Sequence, residues 1–237
     1  MRILRIGNTK GDKMKKIAVI RTDLKDKFGL PRQSGIVKEL TGKIVFEPEY
    51  RRTEAVRGLE GFSHIWLLWK FDGFDNGTFS PTVRPPKLGG NNRVGVFATR
   101  SPNRPNPIGL SAVKLDRIDT ACENAPVLYV SGVDMKDGTE ILDIKPYLPH
   151  SDRITDAVGG FTEDIIVRTL DVEFKNGTEA QLTEEEKTTV IKLISEDPRP
   201  GYIDEKDRVY GMKYRSYDVR FTVSDGKAFI TGIKREK

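Results

Sequence analysis

The chain has 237 residues, with 40 Lys and Arg against 35 Asp and Glu, a net charge of +5 and 37% hydrophobic residues. That is an ordinary globular composition with enough aliphatic and aromatic material for a sizeable core, and it excludes disorder throughout. The longest apolar run, IWLLW at residues 65–69, is far below the roughly 20 residues that a membrane-spanning helix needs.

Residues 1–15 are basic, with no apolar run and no small-residue cleavage site, so they read as an extension and not a secretory signal. Met14 is an alternative start, and a cytoplasmic location is expected. Residues 16–21 (KIAVIR) are β-branched and apolar, which predicts a buried strand followed by a turn-rich segment to Gly35. Strands are also expected at residues 62–71, 94–98, 110–118, 127–133 and 141–144. Six strands with no long helix between them point to a mainly β fold, a closed β-barrel over residues 16–158.

Around residues 155–165 turn signals thin out and acidic residues accumulate, which places a boundary before a small α+β domain at 159–237. In it a strand is expected at 165–174, a helix from the capping box Thr183-Glu184-Glu185-Glu186 to about Ser195, and a hairpin of strands 217–223 and 227–233 around Ser224-Asp225-Gly226. One cysteine (Cys122, in a polar loop) and two histidines (His64 and His150) offer no Cys/His cluster at ligand spacing, so no metal is expected.

The charge is unevenly placed. Between Asp75 and Asp116 there is no acid, while Arg84, Lys87, Arg93, Arg100, Arg104 and Lys114 bring six positive charges, so the rest of the chain carries −1. Residues 156–207 reverse the sign, with fourteen acids against six bases. The basic stretch is interleaved with prolines and glycines, which makes it loop and not the solvated face of a helix. Rigid loops carrying arginine are a common way to build a binding site.

Four segments hold more unusual residues than packing requires: Pro31-Arg32-Gln33, residues 58–66, residues 94–110, and Asp134-Met135-Lys136-Asp137-Gly138-Thr139 leading to residues 143–149. Within them stand the strings LEGFSHIW, RPNPIGL and DIKPYLP, and TVRPP lies between the second and third segments at residues 82–86. In these, the chain resembles the TsaA-like β-barrel family and, more closely, its TrmO-type bacterial members, S-adenosylmethionine-dependent methyltransferases that act on N6 of threonylcarbamoyladenosine in tRNA. The likeness covers residues 16–152 and extends to the tail, through Asp197-Pro198-Arg199-Pro200 and residues 217–221.

The resemblance implies that S-adenosylmethionine is held by Pro31, Arg32, Gln33, Asp72, Gly73, Arg100, Leu110, Asp134, Met135, Lys136, Asp137, Gly138 and Thr139. Asp72-Gly73 departs from the bacterial pattern, so a contact there would be made by backbone. It further implies a homodimer and a tRNA anticodon loop as partner. Chemically, Arg32 or Arg100 suits the cofactor carboxylate, Asp134 and Asp137 suit ribose hydroxyls or the ammonium, and Leu110 suits the adenine. The urea-like N6 of the acceptor needs help in losing a proton, and Asp143, Tyr147 and Asp152 are candidates for that base or for orienting the substrate. Arg84, Lys87, Arg93, Arg104 and Lys114 are candidates for phosphate contacts, with Phe79 either a base-stacking partner or a core residue.

A dinucleotide-type fold is disfavoured because no glycine-rich turn follows residues 16–21. Two alternatives are a non-catalytic RNA-binding barrel and a methyltransferase with another acceptor. The acidic turn 134–139 argues against the first, since a pure RNA binder has no use for acids beside a basic loop.

Overall fold

The computed structural model describes residues 14–74, 79–85, 92–163, 169–199, 205 and 208–236. Six strands close a barrel in the order β1-β2-β7-β6-β3-β8: β1 (Ala18–Thr22), β2 (Thr41–Phe46), β3 (His64–Lys70), β6 (Ile108–Asp119), β7 (Val127–Ser131) and β8 (Glu140–Pro146), with every pairing antiparallel. Alternation explains the closure: Gly109, Ser111, Val113 and Leu115 of β6 point inward with Ile65, Leu67 and Trp69 of β3, while Leu110 points out. Ile20, Ile44, Leu128 and Ile141 complete the interior without measurable exposure.

One of the six strands differs from the sequence expectation. β2 (TGKIVF) gives a weak strand signal, because a glycine stands first on its buried face and Thr41 and Lys43 leave only four apolar or small residues in the run. Conversely, residues 94–98 do not join the barrel. Among the described residues Val94–Gly95 (β5) pairs only with Thr82–Val83 (β4), and Val96–Ala98 is a 3-10 turn that buries Val96.

The C-terminal sheet has the order β10-β11-β12-β9, from β9 (Asp171–Phe174), β10 (Tyr210–Tyr214), β11 (Tyr217–Ser224) and β12 (Lys227–Arg235), with β9 parallel to β12. The β10 strand is a second one that the sequence reading missed, and the expected strand at 165–174 is seen only from Asp171, residues 164–168 lying outside the described residues. A four-residue helix, α1 (Pro149–Asp152), follows the barrel, and α2 (Glu184–Ser195) packs Val190, Leu193 and Ile194 onto the sheet. Thr183 and Glu186 form the expected reciprocal capping box at its start, a device worth ~1 kcal/mol.

Antiparallel connectivity decides what lies at each end of the barrel. The connections 23–40, 71–107 and 132–139 all emerge at one mouth; 47–63, 120–126 and the chain beyond Pro146 emerge at the other. The C-terminal domain packs on the first of these loops: Phe28 stacks with Tyr210 and Phe221 at centroid distances of 6.1 and 6.3 Å.

Candidate active site

At the first mouth the three loops enclose a cleft of about 950 Å³. All thirteen residues expected around the cofactor line it, although they come from five separate segments of the chain. They differ in what their side chains can offer. Met135 is buried in the core, so it presents backbone. Gly138, at φ 83°, donates its N–H to the Ile20 carbonyl, and Thr139 Oγ1 donates to the Lys136 carbonyl, which closes residues 136–139 into a tight turn. Asp137 accepts from the Thr22 N–H at 3.1 Å with one oxygen and meets Arg21 at 3.7 Å with the other.

Asp134 sits differently. The indole N–H of Trp69 donates to Ser111 Oγ at 2.9 Å, and that hydroxyl donates to Asp134 Oδ1 at 2.7 Å. This chain runs from the barrel interior to the cleft wall, and Ser111 is only 1% exposed. Burial raises the Asp134 pKa from 3.8 to about 6, against the opposing pull of the Ser111 hydroxyl, backbone N–H groups and the Arg100 charge.

Across the cleft, Arg100 donates to Gln33 Oε1, Gln33 Nε2 donates to the Arg32 carbonyl at 2.6 Å, and Arg32 Nη2 donates to the Asp197 carbonyl of the C-terminal domain at 3.1 Å. Lys27, which the sequence reading did not name, joins the floor: its ammonium donates to the Asp72 carbonyl at 2.9 Å and lies 5.4 Å from the Phe74 ring centre. Lys136 is 3.8 Å from the Asp72 carboxylate. Phe71, Phe74, Ile108 and Leu110 give apolar wall, with Leu110 53% exposed. The signal for Ser111 was available, since a lone hydroxyl on the inward face of an apolar strand needs a partner.

The expected RNA-contacting residues divide. Arg84 and Arg93 are exposed beside the short β4–β5 pair, with Arg93 Nε donating to Thr82 Oγ1. Arg104 lines the cleft and donates to the Thr99 and Ser101 carbonyls, so it braces its own turn. Lys114 is not at this mouth: it sits opposite His64 on β6 and pairs with Asp116 at 3.0 Å. Lys87 lies outside the described residues. Phe79 is not a core residue. It is 51% exposed and stacks at 6.2 Å on Phe97, which is 70% exposed and lies under Arg104.

Asp143, Tyr147 and Asp152 are not brought into the cleft. Asp143 is paired with Leu68 just beyond a bulge in β3 and β8, forms an ion pair with Lys145 at 2.8 Å and lines a separate cavity of about 490 Å³. Tyr147 packs on Trp66 at the opposite mouth, seven residues or roughly 20 Å of strand beyond the cleft residue Glu140. Asp152 accepts from the Trp66 indole and the Leu148 N–H, both at 2.8 Å. The Leu148 bond, then the Trp66 bond, holds its pKa below the usual carboxylate range, which makes it a weak base. Among the described residues, no group of three or more His, Cys, Asp or Glu could hold a metal ion, and no helix is long and apolar enough to cross a membrane.

Known proteins are similar to this chain in sequence and fold. A tRNA (adenine(37)-N6)-methyltransferase of Escherichia coli is 41% identical over 217 residues, covering 88% of this chain and 92% of that one. A Pseudomonas aeruginosa relative, 38% identical over 213 residues and covering 86% and 90% of the two chains, carries a name that describes an S-adenosylmethionine-dependent methyltransferase. A crystal structure of TrmO from the same genus and species superposes with a TM-score of 0.78 at 30% identity, over 97% of this chain and 99% of that one. The model of the tRNA-methyltransferase O N-terminal domain matches residues 19–153, all of the barrel but its first residue, and that of the TrmO C-terminal domain matches residues 167–236. With both domains matched in order and the fold superposing over nearly the whole of a solved TrmO structure, the chain belongs to the tRNA-methyltransferase O family.

Proposed function

We propose that this enzyme transfers a methyl group from S-adenosylmethionine to N6 of adenine 37 in tRNA, with the threonylcarbamoyl-modified nucleoside as acceptor, and that it works in the cytoplasm as a homodimer. The observation that carries the reading is the convergence of three distant loops on one cleft that offers guanidinium groups, a half-buried carboxylate and apolar wall together. The donor has a carboxylate, two cationic centres and an adenine, and each has a counterpart here. Arg100 and Arg32 suit the carboxylate, Asp134 suits a cationic or hydroxyl group, and Leu110, Ile108 and Phe71 suit the ring.

When bound, S-adenosylmethionine supplies a methyl group activated by a sulfonium. The chain's part is to align and to exclude water. Pro105 and Pro107 restrict the loop 99–107 before binding, which lowers the entropy lost on ordering. The Trp69–Ser111–Asp134 chain holds the carboxylate at one angle. Alignment at near-attack distance accounts for a large part of the acceleration in such transfers. Asp143, Tyr147 and Asp152 take no part in this proposal within one chain, because they face the other mouth.

The Phe79–Phe97 pair supports the RNA half of the reading. Two stacked, exposed rings at the rim of the cleft, within the acid-free stretch and beside Arg84 and Arg93, suit an unstacked base of a single-stranded loop. Phe97→Ala is expected to lower kcat/KM for tRNA about tenfold while leaving cofactor affinity unchanged, since base-aromatic stacking is worth ~1–3 kcal/mol. Steady-state kinetics with tRNA checks this. Cofactor use is tested by thermal unfolding: S-adenosylmethionine at about 100 times its Kd adds about 2.7 kcal/mol and raises Tm by several degrees. No shift at saturation would favour the non-catalytic RNA-binding barrel.

A further inference from the structure

The C-terminal domain has no part in the chemistry described so far, yet it is fastened to the loop that carries Pro31-Arg32-Gln33. Two anchors do this. Arg215, held at φ 53° in the β10–β11 turn, donates from Nε to Asp23 at 2.9 Å, from Nη1 to Glu186 at 3.1 Å and from Nη2 to Glu185 at 3.0 Å, and its backbone N–H donates to the Asp23 carbonyl at 2.8 Å. The start of the cofactor loop and the start of α2 are therefore tied through one guanidinium.

The second anchor is the Asp197-Pro198-Arg199 turn. Arg199 grips the Asp197 carboxylate bidentately at 2.7 and 2.8 Å, which fixes a left-handed Asp197 (φ 48°) so that its carbonyl meets Arg32 Nη2. Between the anchors, Phe28 is stacked on Tyr210 and Phe221, and Gly29, at φ 90°, lies so close to Met212 that no side chain fits there.

We infer that the C-terminal domain positions the cofactor loop: Arg215 and the Asp197-Arg199 turn fix Arg32, and through Gln33 also Arg100, before the donor arrives. Neither Arg215 nor Arg199 touches the cleft, so both are positioning residues. The idea rests on the cleft being the S-adenosylmethionine site. Its consequence is an effect on affinity and not on the transfer step, because a loosened loop must be ordered again at binding. Across this junction the ion pairs run from bases of the C-terminal domain to acids of the loop, Arg215 to Asp23 and Lys192 to Glu39.

The test combines amide hydrogen exchange of the donor-free protein with calorimetric titration of S-adenosylmethionine into wild type, Arg215→Ala, Arg32→Ala and the double variant. Arg215→Ala is expected to speed exchange in residues 24–34 while β11 and β12 stay protected. It should weaken affinity about tenfold, keep kcat at saturating donor within twofold, and add nothing once Arg32 is already Ala. Should Arg215→Ala fail to fold, Asp23→Asn removes only the barrel-side partner and carries the same expectations. Unchanged exchange in residues 24–34, or additive losses in the double variant, overturns the inference. If the wild type binds no donor at all, the cofactor reading fails, and the exchange data still decide whether the domain orders the loop.

Discussion

Gly109→Ala is expected to unfold or misassemble the cleft mouth of the barrel, with a loss of roughly 1–3 kcal/mol or more in stability and, on the proposed function, no measurable S-adenosylmethionine binding. Gly109 points inward on β6 directly opposite Trp69 on β3. A Cβ there would fall inside the van der Waals envelope of the indole, contacting Cε2, Cζ2 and Cδ2 at once. The ring cannot yield cheaply: it is buried, lies against Phe71 at a centroid distance of 4.2 Å and donates to Ser111. Displacing it breaks the hydrogen-bond chain that ends on Asp134. The glycine in RPNPIGL is therefore required for close packing against an aromatic ring and not for turn formation. Thermal unfolding and calorimetric titration of the variant check both parts. A normally stable Gly109→Ala protein with wild-type affinity would show that this contact does not shape the cleft.

Asp134→Asn is expected to separate stability from function. The raised pKa of Asp134 means that the folded state prefers the protonated acid: the stability from this preference is fully present below pH 3.8 and is lost as pH rises through about 6. At pH 8 the ionised group thus costs about 3 kcal/mol relative to its protonated form. Asn keeps an acceptor for the Ser111 hydroxyl and removes the charge, so the variant should be at least as stable as the wild type at pH 8. Donor affinity should move the other way. Losing a charge-assisted hydrogen bond to a cationic ligand costs ~1.5–3 kcal/mol, or about 10- to 100-fold in Kd. Wild-type affinity should also fall as pH drops through about 6, where Asp134 takes up its proton, while the Asn variant shows no such step. An unchanged Kd, or an identical pH profile in the two proteins, would remove Asp134 from the donor site.

The barrel and the cleft were unequally legible in the sequence. The cleft residues could be named because the family resemblance implies them, and antiparallel connectivity brings their three loops to one mouth whatever the exact strand limits. Local pattern failed where local signals conflict with packing. The strand TGKIVF reads weakly, yet Gly42, Ile44 and Phe46 are buried alternately along it. Residues 94–98 alternate like a strand, but Gly95 and the buried Val96 lead the chain into a 3-10 turn.

Asp143 combines a carboxylate with a family-like motif, and only the register, set by a bulge at Leu68 and Trp69, shows that it lines a separate cavity. Phe79 and Phe97 have the composition of core residues, and no periodicity distinguishes an exposed aromatic pair from a buried one. Long-range pairings such as Arg32 with Asp197 and Arg215 with Asp23, 165 and 192 residues apart in the chain, leave no pattern in a single sequence.

The most direct measurement is mass spectrometry of nucleosides from tRNA incubated with the protein and methyl-labelled S-adenosylmethionine. The account predicts one labelled product, threonylcarbamoyladenosine methylated at N6, recovered from the anticodon-loop fragment that contains position 37 and absent with the Gly109→Ala variant. Label on any other nucleoside, or none on tRNA from a protein that binds the donor, would contradict it.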